Sequence, residues 1–184
     1  MAAGSTTETY IACELAIESW RWAGVPFYVR AGKALATSST EAVIRLKQPP
    51  GVLFGGKGLL GENTPGGNVI RFRVGTADGV TMTVNAKEPG PELEAKAVDL
   101  SVDFASALGL RQEPYERLIG DALDGNLRRF GREDIVEETW RVVQPILDHP
   151  GPIRHYERGT WGPDAADALL EQGQWVGPKI APAG

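Results

Sequence analysis

Cysteine is nearly absent from this chain of 184 residues, because Cys13 is its only one. An internal disulfide is therefore impossible, and one cysteine with two histidines cannot make a convincing metal site. Long apolar runs are missing as well. No stretch approaches the ~18 residues of a membrane span, and no secretory signal opens the chain. These absences predict a cytoplasmic protein without a metal and without a membrane partner.

Positive charge does not predominate either, since 19 lysines and arginines stand against 24 acidic residues and the formal net charge is −5. This balance argues against nucleic-acid binding, which uses a basic face. Apolar residues make up 42% of the chain, enough to bury a core, and the length fits one domain. Residues 1–6 are expected to be a disordered start, either native or a remnant of cloning, and residues 7–184 to form the domain.

A coenzyme-binding motif is missing too, although one run imitates it. Residues 56–61 (GKGLLG) match the G-x-G-x-x-G pattern, but that pattern binds a dinucleotide only where it joins a strand to a helix. The run ENTPGG follows at residues 62–67, and no helix can start there. The chain also lacks the alternating βαβ pattern of a Rossmann domain, so we reject this run as a coenzyme fingerprint.

The sequence does contain a series of runs in which apolar and polar residues alternate, as they do in half-buried strands. These runs lie at residues 9–19, 27–29, 42–47, 68–74, 80–85 and 97–104. The first run is also compatible with a helix, because alanine, glutamate and leucine favour one. The five residues 75–79 contain glycine and predict a β-hairpin. The alternation indicates an antiparallel sheet with one face in water.

Helical spacing replaces the alternation in the last third of the chain. One helix is predicted to begin with Pro114 in its first turn and to end at Gly125. A second is predicted from Arg132, with Pro145 kinking or restarting it, and a short third helix after Gly162. Strands followed by helices predict an α+β fold with one large, mainly antiparallel β-sheet and helices packed on one face.

The most informative stretch is residues 20–35, WRWAGVPFYVRAGKAL. Its aromatic and β-branched centre favours a strand, with Pro26 at the first residue and Gly32 letting the backbone leave at the end. Arg30 and Lys33 then stand at a strand end beside a flexible corner, where a cation can face an anion. On these residues alone, solvated charges at a sheet edge are the simpler interpretation.

This stretch resembles the Trp-Arg-Trp-x-Gly-Val-Pro-Phe-x-x-Arg-x-Gly-Lys run in the C-terminal domain of the glucose-6-phosphate dehydrogenase family. The resemblance continues in residues 86–90 (AKEPG), 113–119 (EPYERLI) and 156–163 (YERGTWGP). It implies an NADP-dependent oxidation of glucose 6-phosphate to 6-phosphogluconolactone in the pentose phosphate pathway. It also implies that this domain contacts the substrate and forms a homodimer through its sheet.

The same resemblance implies roles for three cationic residues. Lys33 occupies the position that contacts the sugar phosphate, and a compact ammonium suits that ligand. Arg30 occupies a nearby arginine, which in some members borders a second, structural NADP site, and arginine suits bidentate contacts. Arg73 matches another arginine of that structural site. We therefore predict substrate contacts at Lys33 and Arg30 and a cofactor contact at Arg73 if the structural site is retained.

Several positions depart from the family pattern. A second cation is usual five positions after the lysine, where this chain has Ser38, and one lost charge-assisted contact weakens phosphate binding by roughly 1.5–3 kcal/mol. Thr81 and Thr83 replace a tyrosine and a lysine of the structural NADP site, and Gly75-Thr76 replaces a Gln-Pro pair at the hairpin turn. The structural NADP site is therefore expected to be absent.

A catalytic base is missing as well. The family's histidine lies in a His-Tyr-Leu-Gly-Lys segment that this chain lacks, and neither His149 nor His155 is assigned to that role. The chain is expected to be inactive alone, with NADP bound mainly by an absent N-terminal domain. The alternative is a free-standing, non-catalytic binding or dimerisation module of the same fold.

Overall fold

The computed structural model describes residues 5–48, 66–75, 77–91, 94–109, 112–171 and 174–178. The rejected glycine pattern at residues 56–61, and Thr76, lie outside these ranges. The elements in chain order are strands β1 (Tyr10–Leu15), β2 (Phe27–Gly32), β3 (Thr40–Arg45), β4 (Val69–Val74), β5 (Gly79–Lys87) and β6 (Ala95–Asp103), helices α1 (Phe104–Leu108), α2 (Pro114–Leu123) and α3 (Glu133–Asp148), and 3-10 helices at Leu127–Arg129 and Asp164–Leu169.

The described residues fall into two compact units. The first lies within residues 1–38 and 112–175, and the second within residues 39–111 and 176–184. The first unit contains an antiparallel pair, β1 and β2, in which Tyr10 is opposite Gly32 and Leu15 is opposite Phe27. The alternation in residues 9–19 therefore produces a strand, as predicted, and not a helix.

The second unit contains a four-stranded antiparallel sheet in the order β3-β4-β5-β6. Strands β4 and β5 form the predicted hairpin, with Arg73 opposite Gly79 at its closed end. The α+β class and the antiparallel pairing are confirmed. The strands divide between two sheets and do not form a single large one, because β1 and β2 hydrogen-bond only to each other among the described strands.

The apolar face of the four-stranded sheet is open to solvent. Antiparallel pairing aligns the apolar residues of neighbouring strands, so that Met82 is opposite Ile70 on one side and Leu100 on the other. Leu100 is 56% exposed. We refer to this surface as the apolar sheet face; it consists of Ala42, Ile44, Ile70, Phe72, Val74, Val80, Met82, Val84, Val98, Leu100 and Val102.

The opposite face carries polar side chains, yet two of them are among the most buried in the chain. Arg71 is only 4% exposed and forms an ion pair with Glu41. The buried hydroxyl of Thr81 lies 3.0 Å from the Ser101 hydroxyl and 2.8 Å from Nη1 of Arg73. Buried polar groups are tolerated when they are paired. The predicted alternation is thus confirmed. The polar face is buried at Arg71 and Thr81 and exposed along β6, where Asp99, Ser101 and Asp103 lie.

The helices follow their predicted boundaries with three differences. Helix α2 begins at Pro114 and is followed by Gly125 with φ of 68°, as expected. Helix α3 continues through Pro145, since only its last turn follows and the proline removes a single hydrogen bond. The short helix after Pro163 is a 3-10 helix. Helix α1 was not predicted; Asp103 starts it by accepting a 2.8 Å hydrogen bond from the Ser106 N–H.

The apolar stripes of α2 and α3 are also uncovered. Leu123 of α2 is 83% exposed and Trp140 of α3 is 57% exposed. Among the residues that the structure describes, Ala166 is the only buried hydrophobic one. None of the helices in the described part of the chain is long and apolar enough to cross a membrane. Contiguous exposed apolar patches are typical of surfaces that contact other proteins, membranes or ligands.

Candidate functional site

The candidate site is the corner that follows β2 in the first unit. The Lys33 N–H donates to the Thr9 carbonyl at 2.8 Å, so the β1–β2 pairing extends one residue beyond Gly32. The Lys33 side chain is exposed, and no carboxylate in the described ranges pairs with its ammonium group. An exposed ammonium at a strand end is available to an anion. The structure thus places Lys33 where the sequence predicted.

The backbone of this corner, residues 33–36, is held by a distant segment, residues 156–160. Ala34 adopts a left-handed conformation with φ of 53°, which costs a residue with a side chain roughly 1–2 kcal/mol. Its carbonyl accepts a 2.9 Å hydrogen bond from the Gly159 N–H, and the Ala36 N–H donates to the Thr160 carbonyl at 2.9 Å. We call residues 33–36 the Lys33 corner and residues 156–160 the anchoring segment.

A tyrosine of the anchoring segment reaches the same corner with its side chain. The Tyr156 hydroxyl lies 2.8 Å from the Lys33 carbonyl oxygen and 3.1 Å from the Thr9 carbonyl oxygen. The Thr9 hydroxyl lies 3.3 Å from the same phenol oxygen. Tyr156 therefore joins the two chain segments that meet at the end of the β1–β2 pair.

Gly32 has a different role from the one the sequence predicted. Its backbone does not need the conformational freedom of glycine, but a Cβ at this position would lie 2.7 Å from the Tyr10 ring. Gly162, with φ of 105°, approaches the same ring, because its Cβ would lie 2.4 Å from Tyr10 Cε2. The Tyr10 ring also packs on Tyr156 with centroids 5.4 Å apart. Both glycines therefore make room for Tyr10.

The Tyr10 hydroxyl is buried without a hydrogen-bond partner in the described part of the chain. Burial raises the pKa of Tyr10, because the phenolate loses hydration, while the nearby Arg30 charge opposes that rise. This tyrosine therefore contributes its ring to the packing, whereas its neighbour Tyr156 uses its hydroxyl.

Arg30 is half-buried between two indole rings. Its guanidinium carbon lies 4.7 Å from the ring centroid of Trp161 and 4.8 Å from that of Trp175, within the range of cation–π contacts. Burial lowers the pKa of Arg30, and the negative charge of Asp167 is one of the groups that oppose the shift. The structure thus brings Arg30 and Lys33 to the same strand end but gives them different surroundings: Lys33 faces solvent and Arg30 is stacked within its own unit.

Arg73 belongs to the four-stranded sheet. Its Nη1 donates to the Thr81 hydroxyl at 2.8 Å, and its Nε donates to the Ala77 carbonyl at 3.3 Å. Both contacts lie within the β4–β5 hairpin, so these donors of Arg73 are engaged in the fold. The candidate cofactor residue and the candidate substrate residues thus occur in different compact units.

The two histidines are exposed, and His149 simply ends α3. Within the described ranges, no group of three or more histidine, cysteine, aspartate or glutamate side chains is placed to hold a metal ion. Ser38 is also exposed and offers one hydroxyl at the position where the family pattern has a second cation. The described residues of this site can therefore bind and orient an anion through Lys33, but they do not include an assigned base.

Four aromatic residues around the end of β2 were not identified from the sequence as site residues: Tyr10, Tyr156, Trp161 and Trp175. Tyr156 and Trp161 do lie in the run YERGTWGP, which carried the family resemblance. However, Tyr156 is 123 residues away from Lys33 and 147 away from Thr9 along the chain. No local pattern could have revealed these contacts.

Comparison with known proteins gives a consistent result over nearly the whole chain. A family profile described as glucose-6-phosphate dehydrogenase, C-terminal domain, matches residues 1–176. Glucose-6-phosphate 1-dehydrogenase 1 of Mycobacterium tuberculosis is 40% identical over 181 residues, which cover 98% of this chain and 37% of the relative. Glucose-6-phosphate 1-dehydrogenase of Aggregatibacter actinomycetemcomitans is 44% identical over 170 residues, covering 90% of this chain and 33% of the relative.

Solved structures agree with the sequence comparison. The crystal structure of glucose-6-phosphate 1-dehydrogenase from Mycobacterium avium matches with a TM-score of 0.81 at 40% identity, covering 98% of this chain and 37% of that one. A glucose-6-phosphate dehydrogenase in complex with its substrate glucose 6-phosphate matches with a TM-score of 0.75 at 28% identity, covering 93% of this chain and 35% of that one. The chain thus spans little more than a third of the length of these relatives.

Proposed function

The chain belongs to the family of glucose-6-phosphate dehydrogenase C-terminal domains, and from this membership we propose that it is the C-terminal part of an NADP-dependent glucose-6-phosphate dehydrogenase. The reaction is the oxidation of glucose 6-phosphate at C1 to 6-phosphogluconolactone, with hydride transfer to NADP, in the pentose phosphate pathway of the cytoplasm. A free-standing binding module is not favoured, because the relatives are named as dehydrogenases.

The substrate contact within this proposal rests on the exposed ammonium of Lys33, at a corner whose backbone is hydrogen-bonded on both sides. We propose that Lys33 binds the phosphate group of the substrate. A corner held by several hydrogen bonds favours binding, because less loop freedom is lost when the ligand arrives. We propose that Arg30 adds positive charge to the same site, with its guanidinium held in place by stacking on Trp161 and Trp175.

NADP is proposed to bind mainly to the part of the protein that precedes this chain, together with the catalytic base. A second, structural NADP site in this domain is not part of the proposal. Arg73 already donates to Thr81 and to the Ala77 carbonyl. The threonines at positions 81 and 83 provide neither the aromatic ring nor the charge that the resemblance implies for such a site.

Two further partners follow from the uncovered apolar surfaces. We propose that the apolar sheet face packs against the same face of a second copy, because identical surfaces pair naturally across a two-fold axis. The apolar stripes of α2 and α3 are proposed to be covered by the remainder of the enzyme. Ala166 is the only buried hydrophobic residue among those that the structure describes, so apolar surface is left for such neighbours to cover.

The proposed activity is tested by comparing the complete protein with this chain alone. The complete protein is expected to reduce NADP in the presence of glucose 6-phosphate, whereas the 184-residue chain is expected to show no turnover, because the base and the main coenzyme site lie outside it. The measurement is NADPH absorbance with the two proteins at equal concentration. Turnover by the chain alone, or none by the complete protein, would refute the proposal.

The proposed dimer is tested by placing a charge on the apolar sheet face. Replacing Leu100 by glutamate in the complete protein is expected to weaken dimerisation by more than about a hundredfold, because burying an unpaired carboxylate costs several kcal/mol. Analytical ultracentrifugation measures the dissociation constant. The control Gln112→Glu adds the same charge at an exposed position outside the sheet and should leave the constant unchanged. A Leu100→Glu variant that dimerises normally would remove the sheet from the interface.

A further inference from the structure

The Tyr156 hydroxyl has one proton and two carbonyl oxygens within reach. The Lys33 carbonyl is nearer, at 2.8 Å, than the Thr9 carbonyl, at 3.1 Å. Since 2.8 Å is the preferred donor–acceptor distance for an O–H donor, the Tyr156 hydroxyl donates mainly to the Lys33 carbonyl. The Thr9 hydroxyl, at 3.3 Å, can supply a proton to the phenol oxygen in a weaker contact. Tyr156 is therefore used chiefly as a donor to the Lys33 peptide.

This peptide group determines where the Lys33 ammonium can reach. The Lys33 side chain is exposed and without an ion pair in the described part of the chain, so only its backbone holds it in place. The next residue, Ala34, is in the left-handed region, which such a residue leaves unless its surroundings hold it there. In the described ranges, Tyr156 is the residue whose side chain hydrogen-bonds to the Lys33 corner.

We propose that Tyr156 is a positioning residue for Lys33: its hydroxyl fixes the Lys33 carbonyl, and thereby aims the ammonium at the phosphate of the substrate. The proposal rests on the proposed function of Lys33. Tyr156 touches neither substrate nor coenzyme in this role. It acts through the backbone, as groups that orient a binding residue do in a preorganised site.

The first test measures the corner itself and does not depend on the substrate. Tyr156→Phe keeps the ring and its contact with Tyr10 but removes the hydroxyl. Hydrogen exchange of the complete enzyme is followed by mass spectrometry, in peptides that contain the Lys33 and Gly159 amides. We expect exchange to become about 3- to 10-fold faster in both peptides, the equivalent of one neutral hydrogen bond. Unchanged exchange would overturn the proposal.

The matched control is Tyr10→Phe. It removes a phenolic hydroxyl from the ring that packs on Tyr156, but that hydroxyl has no partner among the described residues. Exchange in the same two peptides is expected to stay within about twofold of the wild-type rate, since no hydrogen bond is lost. Equal acceleration in both variants would indicate loss of packing and would also overturn the proposal.

The second test links Tyr156 to Lys33 by a double-mutant cycle in the complete enzyme. Tyr156→Phe is expected to raise the KM for glucose 6-phosphate about 3- to 10-fold with kcat little changed. The same substitution in a Lys33→Ala background is expected to have no further effect on KM, because the residue it positions is gone. Equal effects in both backgrounds would show that Tyr156 acts elsewhere and would refute the positioning role.

The two tests separate the two possible failures. If Lys33→Ala alone leaves KM unchanged, the proposed function of Lys33 fails, whatever the exchange rates show. If Lys33→Ala raises KM but Tyr156→Phe changes neither KM nor exchange, the proposed function stands and the role of Tyr156 is wrong.

Discussion

Replacement of Lys33 by alanine is expected to raise the KM of the complete enzyme for glucose 6-phosphate by about 10- to 100-fold, with a much smaller change in kcat. The variant loses one charge-assisted contact to the phosphate, which contributes about 1.5–3 kcal/mol. The phosphate is remote from the C1 carbon that reacts, so the contact is equal in the ground state and the transition state and appears mainly in KM. Initial rates of NADPH formation over a range of substrate concentrations measure both constants.

A matched control uses a different exposed lysine. Lys96→Ala, in β6, removes the same charge from the second unit and is expected to leave KM within about twofold, because a remote exposed charge is largely screened by salt. If Lys33→Ala behaves like Lys96→Ala, Lys33 is a solvated charge at a sheet edge and the proposed phosphate contact is wrong.

The largest expected effect on stability comes from the ion pair on the polar sheet face. Arg71 is 4% exposed, and replacing Glu41 by alanine removes the one carboxylate that pairs with its guanidinium in the described part of the chain. Removing one partner of a buried ion pair lowers the free energy of unfolding by about 3–5 kcal/mol, because the other charge stays buried and uncompensated. The change is measured by chemical denaturation of the complete protein, monitored through the tryptophan fluorescence of this domain.

Two further variants distinguish the ion pair from general disruption of the sheet. The double replacement Glu41→Leu with Arg71→Met removes both charges and should recover most of the lost stability, because no buried charge is left alone. Glu138→Ala removes a carboxylate from the exposed pair with Arg141 and is expected to cost less than about 1 kcal/mol. A Glu41→Ala variant as stable as Glu138→Ala would contradict the buried pair.

The strands were predictable because alternation is a local signal. Ile70, Phe72 and Val74 are opposed to Arg71 and Arg73 in the sequence itself, and β4 forms where that pattern occurs. Helix α2 was equally local, since Pro114 and Gly125 mark its ends. By contrast, Gly32 was assigned to backbone freedom, whereas the structure uses it to admit the Tyr10 ring. The close approach is between β1 and β2, and β2 begins twelve residues after β1 ends. Local composition does not reveal such a contact.

The candidate site divides in the same way. Lys33 was identified from the Arg-x-Gly-Lys run and lies exposed at the end of β2, but its role in binding remains a prediction. Arg30 was predicted beside it as a second solvated or substrate-facing charge, and the structure stacks it between Trp161 and Trp175. Tyr156 was visible only as part of a resemblance, because the Lys33 carbonyl it holds lies 123 residues away.

The sequence by itself determined the α+β class, the antiparallel pairing, the family and the position of Lys33, because each depends on neighbouring residues or on an ordered run of short motifs. Only the tertiary structure decided which sheet face is exposed, what surrounds Arg30 and what anchors the corner after β2. Those features depend on contacts between segments far apart in the chain. Whether a polar side chain is buried or wet is decided by the partner it meets, and alternation along one strand says nothing of that partner.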